Sequence, residues 1–234
     1  ASCLVGSEMC IRDSPYFSTS NGIYSVKNNK YFLSNQLKSK CSKEINQIVF
    51  DKSKLWAATQ YGLLEIADSN QKCRTDLNRV HNNQFTAVLK DHEENIWIGS
   101  LGGGLTKLLN DGSLINYSKS KGLNSYLISC LFEDSKHNIW IGSNGQGVSK
   151  FDGKNFIQIR QKNGLANDFV NAITEDKLGN IWFGTSNGIS KYGGDKYILY
   201  DKTSIIPNGV TYTVLQTSDS TYWTGNIDGG LFCF

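Results

Sequence analysis

Five times along the chain an apolar run closes on small or polar residues: Leu55-Trp56-Ala57-Ala58-Thr59, Ile96-Trp97-Ile98-Gly99-Ser100, Ile139-Trp140-Ile141-Gly142-Ser143, Ile181-Trp182-Phe183-Gly184-Thr185 and Tyr222-Trp223-Thr224-Gly225-Asn226. Each follows a shorter segment, Asn46 to Phe50, Phe85 to Lys90, Ile128 to Glu133, Val170 to Glu175 or Tyr212 to Gln216, that leads into a turn such as Asp176-Lys177-Leu178-Gly179-Asn180. A Gly-rich turn then leads to a third segment (Gly104 to Leu108, Gly147 to Phe151, Gly188 to Tyr192), and a further turn to a fourth (Leu114 to Ser118, Phe156 to Arg160, Tyr197 to Asp201). Runs of this length bounded by Gly, Asn and Asp read as strands, and no segment keeps a helical period. An unbroken apolar strand suits a sheet buried on both faces, and the Gly behind the Trp removes a side chain where backbones approach closely.

The tryptophans stand 41, 43, 42 and 41 residues apart, and Tyr16-Phe17-Ser18-Thr19-Ser20-Asn21-Gly22-Ile23 repeats the phrase of Trp182 to Ile189 one step earlier. Repeats of about 40–45 residues made of four short strands predict an all-β fold of β-propeller blades rather than a helical solenoid. On this scheme residues 15–234 begin at the second strand of one blade and stop at the third strand of another, which gives four complete blades and a partial blade at each end. A blade cannot bury its faces alone, so a closed ring in a longer parent protein is expected. Ala1 to Ser14 lies outside the periodicity; its string CLVGSEMCIRDS resembles a translated sequencing adapter, and the segment is set aside as a non-native tail, a genuine short amino-terminal tail being the other reading.

Composition narrows the function. The chain has 234 residues, 39% hydrophobic and 19% charged, with a formal net charge of +3. Its lysines are dispersed and its arginines are only four (Arg12, Arg74, Arg79, Arg160), so no basic stripe suggests a nucleic acid. No run approaches the roughly 18 apolar residues of a membrane span, so no membrane contact is expected of this segment. Six cysteines without a close pair support neither a zinc site nor a dithiol motif, and His81, His92 and His137 read as turn residues; no metal or cofactor is expected.

The phrases Asn95 to Ser100 and Asn138 to Ser143, Gly102-Gly103-Gly104-Leu105, and Asn163-Gly164-Leu165-Ala166-Asn167-Asp168 closely resemble the two-component regulator propeller repeat, over essentially Tyr16 to Phe234. The resemblance implies seven-bladed propellers in the periplasmic or extracellular sensor half of a bacterial hybrid two-component system, ahead of a membrane span and a histidine kinase. It also implies an oligosaccharide or similar small solute as ligand, and a neighbouring propeller or protomer as partner. Ala57-Ala58 and Ser18 depart from the pattern, and the unit around Cys73 to Asn83 shows a weak outer strand.

No catalytic constellation is apparent. Leu101 to Gly104 is followed by a strand and is therefore a hairpin turn; Thr174 to Trp182 resembles the Asp-box of sialidase-like propellers with one extra residue between Asp and Gly, and Asp91, Asp134 and Asp176 read as turn formers. Arg160, ending an outer strand, belongs to no arginine cluster. Recognition remains as the expected function. In a propeller the loops from outer to next inner strand share one face with the loops from second to third strand. The candidates there are Tyr61, Asn144, Gln146, Asn187 and Asp228 from the second kind of loop, and Asn124, Tyr126, Asn167, Asp168 and Tyr212 from the first. Amides and carboxylates suit sugar hydroxyls, and a Tyr face suits a pyranose ring. A protein-interaction scaffold and a propeller lyase or sialidase-like hydrolase are the competing readings.

Overall fold

A computed structural model describes residues 16–19, 22–27, 30–36, 44–51, 54–67, 70–75, 77, 84–194, 196–200, 209–217, 221–226 and 230–234. The chain divides into two compact units, Ala1–Asn116 and Tyr117–Phe234.

In the first unit β1 (Tyr16–Thr19), β2 (Gly22–Lys27) and β3 (Lys30–Gln36) form a three-stranded antiparallel sheet. Two four-stranded sheets follow: β4 (Ile45–Asp51), β5 (Lys54–Thr59), β6 (Gly62–Ala67) and β7 (Asn70–Arg74), then β8 (Phe85–Lys90), β9 (Ile96–Ser100), β10 (Gly104–Leu108) and β11 (Leu114–Tyr117). The second unit repeats the pattern. Its sheets are β12 (Ile128–Glu133), β13 (Ile139–Ser143), β14 (Val148–Phe151) and β15 (Phe156–Ile159); β16 (Val170–Glu175), β17 (Ile181–Thr185), β18 (Gly188–Tyr192) and β19 (Tyr197–Tyr200); and the three-stranded β20 (Thr211–Gln216), β21 (Tyr222–Asn226) and β22 (Gly230–Cys233). Among the described residues four complete blades therefore stand between two partial ones, as the repeat predicts. Two details differ from expectation: the outer strand of the second blade ends at Arg74, ahead of the segment read as weak, and the outer strands of the fourth and third blades end one residue short of Arg160 and Ser118.

The continuous apolar strands do bury both faces. In β5, Trp56 and Ala58 pack with Phe85, Val88 and Ile98 of the following sheet, while Leu55 and Ala57 pack with Ile23 and Ile48 on the other side. In β17, Ile181 and Phe183 join Trp140, Val148 and Val170, while Trp182 turns to Ile189 and Val214. Alternation persists at period two, but both destinations are apolar cores, so the sequence reads as one run. The Gly behind the Trp is needed for a specific reason. A Cβ on Gly142 would run into Cys130 Sγ on the paired inner strand, and one on Gly184 would lie 3.0 Å from Thr211 Cγ2 of the next sheet.

Each inner strand also carries a bulge at its second residue: Asn46, Thr86, Ser129, Asn171 and Tyr212 fall where the register shifts. The extra residue aims its side chain along the sheet stack. Asn46 Nδ2 donates to Phe85 O (2.7 Å), Ser129 Oγ to Val170 O (2.5 Å) and Asn171 Nδ2 to Thr211 O (3.3 Å), so each latches the next inner strand.

Candidate functional site

The loops before β12 and β16 are built alike, and their construction determines which side chains are left over. After β15 the chain makes a 3-10 turn, Gln161–Asn163, ended by Gly164 at φ 116°, a conformation that favours glycine. Leu165 is then buried as an anchor, and Ala166 N–H donates to Ser190 Oγ (2.7 Å). The loop before β12 copies this with Lys119–Lys121, Gly122, buried Leu123, and Asn124 N–H donating to Ser149 Oγ (3.3 Å). Asp168 Oδ1 accepts Gln161 N–H (2.7 Å), and Tyr126 OH accepts Lys119 N–H (3.4 Å), so both candidates hold the first N–H of their 3-10 turn.

The two kinds of loop meet, as expected. Asn144 N–H donates to Leu127 O (2.9 Å), and the N–H groups of Gly145 and Gly147 donate to Asp168 O (3.1 and 2.8 Å). Asn124 Nδ2 donates to Gln146 O (2.5 Å), and Gln146 Oε1 accepts from the Arg160 guanidinium, whose Nη1 stands 3.9 Å from Asp168 Oδ2. Asn124, Gln146 and Asp168 are thus brought together around Arg160. Gln158, Arg160, Lys162, Asn163 and Asp168 line an open cavity of about 580 Å³. Asn124 Oδ1 is buried and has no hydrogen-bond partner among the described residues. That is a costly state, of order 1–3 kcal/mol, which marks it as an acceptor that folding does not use.

The remaining candidates separate. Asn167 Oδ1 accepts Phe169 N–H (2.9 Å) and is a turn former. Asn187 is exposed in the β17–β18 turn with its N–H on Thr185 Oγ1. Tyr212, at the bulge of β20, is 56% exposed, and Tyr61 is exposed in the other unit. Asp228, His81 and the Ala1 to Ser14 tail lie outside the described residues.

Two functional candidates escaped the sequence reading. Arg160, treated as the end of a strand, lines the groove and donates to Gln146 Oε1; the Asn163-Gly164-Leu165 phrase three residues on was the signal, because the 3-10 turn it closes starts directly after Arg160. Phe169 is 50% exposed with its ring against Gly145, although Val170 directly after it is fully buried. Tyr126 (38%), Phe169 and Tyr212 stand at the starting ends of three successive inner strands, with exposed Leu127 among them.

The opposite end of the inner strands has a different chemistry. Trp97, Trp140 and Trp182 each donate Nε1–H to the turn aspartate six residues earlier, Asp91 (2.8 Å), Asp134 (2.7 Å) and Asp176 (2.9 Å). The turn Asn donates to the same carboxylate in every case, and Asp176 Oδ2 accepts in addition from Tyr222 OH (2.9 Å). Burial pushes the Asp176 carboxyl up, but these donors outweigh it and hold it at about 2. Burial and the bond to Asp176 push the Tyr222 hydroxyl up to about 12. The turn aspartates are structural, as the sequence suggested, and they also pin the tryptophans.

Comparison with known proteins agrees with this architecture. The two component regulator propeller model matches residues 122–145 and 164–187. An extracellular domain from B. thetaiotaomicron, of a protein described as a hybrid two component system, superposes with a TM-score of 0.80 at 28% identity, over 94% of this chain and 32% of that one. A second such domain, of a protein described as a one component system of that organism, superposes at 0.73 with 19% identity over 95% and 31%. The chain thus spans about a third of these relatives. Virginiamycin B lyase from Staphylococcus aureus shares the fold alone, with a TM-score of 0.72 at 12% identity over 94% of this chain and 80% of that one. No curated protein matches the sequence. Trp spacing, sheet succession and the loop-and-strand phrase matched twice converge on a β-propeller in which residues 122–145 and 164–187 match the two component regulator propeller repeat.

Proposed function

We propose that the chain is the ligand-sensing part of a two-component regulator, that it binds an oligosaccharide at the starting ends of β12, β16 and β20, and that it does not turn the ligand over. The carrying observation is the exposed series Tyr126, Phe169 and Tyr212 beside Gln146, Arg160 and the unused acceptor Asn124 Oδ1. Aromatic faces pack on the apolar faces of sugar rings, and a few fixed polar groups orient the hydroxyls. Ligand would favour one packing of the propeller against a neighbouring propeller or protomer, and a histidine kinase outside this chain would read the population shift. The similarity to extracellular domains supports a periplasmic or extracellular position. So does Cys73, which is disulfide-bonded, since such bonds persist in oxidising compartments. Among the described residues no helix is long and apolar enough to cross a membrane.

The test is calorimetric titration of the chain with a panel of oligosaccharides, with the recovered saccharide analysed for cleavage. Saturable binding that Phe169→Ala weakens, with the saccharide recovered intact, is the expected result. The exposed apolar group of Leu127 and Phe169 also suits a protein-interaction scaffold, and a panel without any saturable binder favours that reading. Cleaved saccharide would favour an enzyme.

A further inference from the structure

Resting on the saccharide reading, we infer that the groove at Arg160 takes an anionic group of the sugar, a carboxylate or a sulfate ester. The lining carries Arg160 and Lys162 against a single carboxylate, Asp168, so its charge balance is positive. That carboxylate is already engaged: Oδ1 accepts Gln161 N–H at 2.7 Å, and Oδ2 faces Arg160 Nη1 at 3.9 Å. Arg160 gives one nitrogen to Gln146 and a long contact to Asp168, and its side chain remains one-third exposed (34%). A guanidinium carries five N–H donors in a planar fork that matches the two oxygens of a carboxylate or sulfate, so donors are left for a ligand. Asn163 contributes in the same sense: its Oδ1 is held by Arg160 N–H (3.0 Å), which leaves the amide NH2 as the donor side of a residue lining the groove. The exposed Lys162 supplies a second positive charge with no ion-pair partner among the described residues. Gln158, by contrast, is consumed by Gly122 O and Ser149 Oγ and shapes the wall. The equivalent loop before β12 has Ser118 and Ser120 at the places of Arg160 and Lys162 and carries its cations, Lys119 and Lys121, at the alternate positions, so the placement of charge at positions 160 and 162 differs between the two loops.

The probes are a uronic-acid tetrasaccharide, its neutral methyl ester, a sulfated tetrasaccharide and a neutral panel, titrated against the chain, Arg160→Gln, Lys162→Gln and Lys154→Gln. Lys154 is exposed away from the groove and controls for the overall charge of +3. Expected is an acid or sulfate form that binds about tenfold or more tightly than its neutral counterpart. That ratio should fall in Arg160→Gln and in Lys162→Gln and hold in Lys154→Gln. The uronate and sulfate arms identify which anion is preferred. Lys162 is exposed and makes no hydrogen bond or ion pair among the described residues, so its variant remains informative if Arg160→Gln unsettles the loop. Neutral forms binding as tightly as charged ones, or a preference that survives both groove substitutions, overturn the anionic site and leave the saccharide reading standing. Absence of binding across neutral and charged probes alike overturns both.

Discussion

At one end of β12 and β16 the turn residues consume one another's hydrogen-bonding capacity: Asp134 and Asp176 each take the indole N–H of the following Trp, the amide of the turn Asn and backbone N–H groups. At the other end, equally rich in Asn, Gln, Asp and Tyr, one buried amide oxygen goes unused, an Arg and a Lys face an open groove, and aromatic rings stand half exposed. The same repeat supplies both ends, so composition does not distinguish them. Burial separates most of their side chains: the turn carboxylate sits over the blade core, where an unpartnered polar group is expensive, while Arg160, Lys162 and the aromatic rings lie at the rim, where water can serve them. Structure is therefore invested at the turn end, and recognition is available only at the loop end.

The largest expected effect tests the first half of that contrast. Trp182→Ala should cost about 3–5 kcal/mol of unfolding free energy in urea titration. A finer version compares two tryptophans. Trp182→Phe removes a donor from the buried Asp176 and should cost about 1.5–3 kcal/mol. Trp56 Nε1 has no hydrogen-bond partner among the described residues, and its ring sits beside Lys54 and Arg74, both bonded to Glu65. Trp56→Phe should therefore cost at least about 1 kcal/mol less than Trp182→Phe, and equal costs would show that the Asp–Trp bond contributes little.

Acid should act strongly at the turn end. Asp176 ionises at about 2 in the folded chain instead of 3.8, so the folded state binds its proton more weakly than the unfolded state. Its contribution, about 2 kcal/mol, is present above about pH 4 and is lost as pH falls toward 2. Unfolding followed against pH should show this slope in the chain and a shallower one in Asp176→Asn.

The loop end should behave oppositely. Phe169→Ala and Tyr212→Ala should each change stability by less than about 0.5–1 kcal/mol in thermal melts, because half-exposed rings lose little burial. The smallest effect concerns the turn itself. The fourth turn position is left-handed in all three copies, Glu94 (φ 69°), His137 (φ 63°) and Gly179 (φ 78°). His137→Gly should gain about 0.5 kcal/mol, net of the contact with Glu133, since glycine adopts this conformation without steric cost.

Much of the fold was legible because its rule is local. The Trp spacing gives the repeat, and alternation between two apolar cores gives an unbroken run that names a strand buried on both faces. The bulges at Ser129, Asn171 and Tyr212 were not legible, since nothing in a residue type marks the position where two residues oppose one. At the site, the convergence of Asn124, Gln146 and Asp168 followed from blade topology. Arg160 and Phe169 were missed as candidates because the first stands where a strand gives way to a 3-10 turn and the second is half exposed directly before a buried valine, neither of which residue type marks. Asn167, a candidate by the same topology, spends its Oδ1 on Phe169 N–H, which its residue type did not foretell because short amides suit turns and ligands equally well.

The most direct measurement is calorimetric titration of the oligosaccharide panel against the chain, the Phe169→Ala/Tyr212→Ala double variant and Trp182→Phe, each held well below its melting temperature. Saturable binding that falls about tenfold or more in the double variant, with its melting temperature nearly unchanged, and that persists in the less stable Trp182→Phe, is the predicted result. Binding that ignores the loop-end substitutions, or that tracks stability instead, would contradict the division between a structural end and a recognition end.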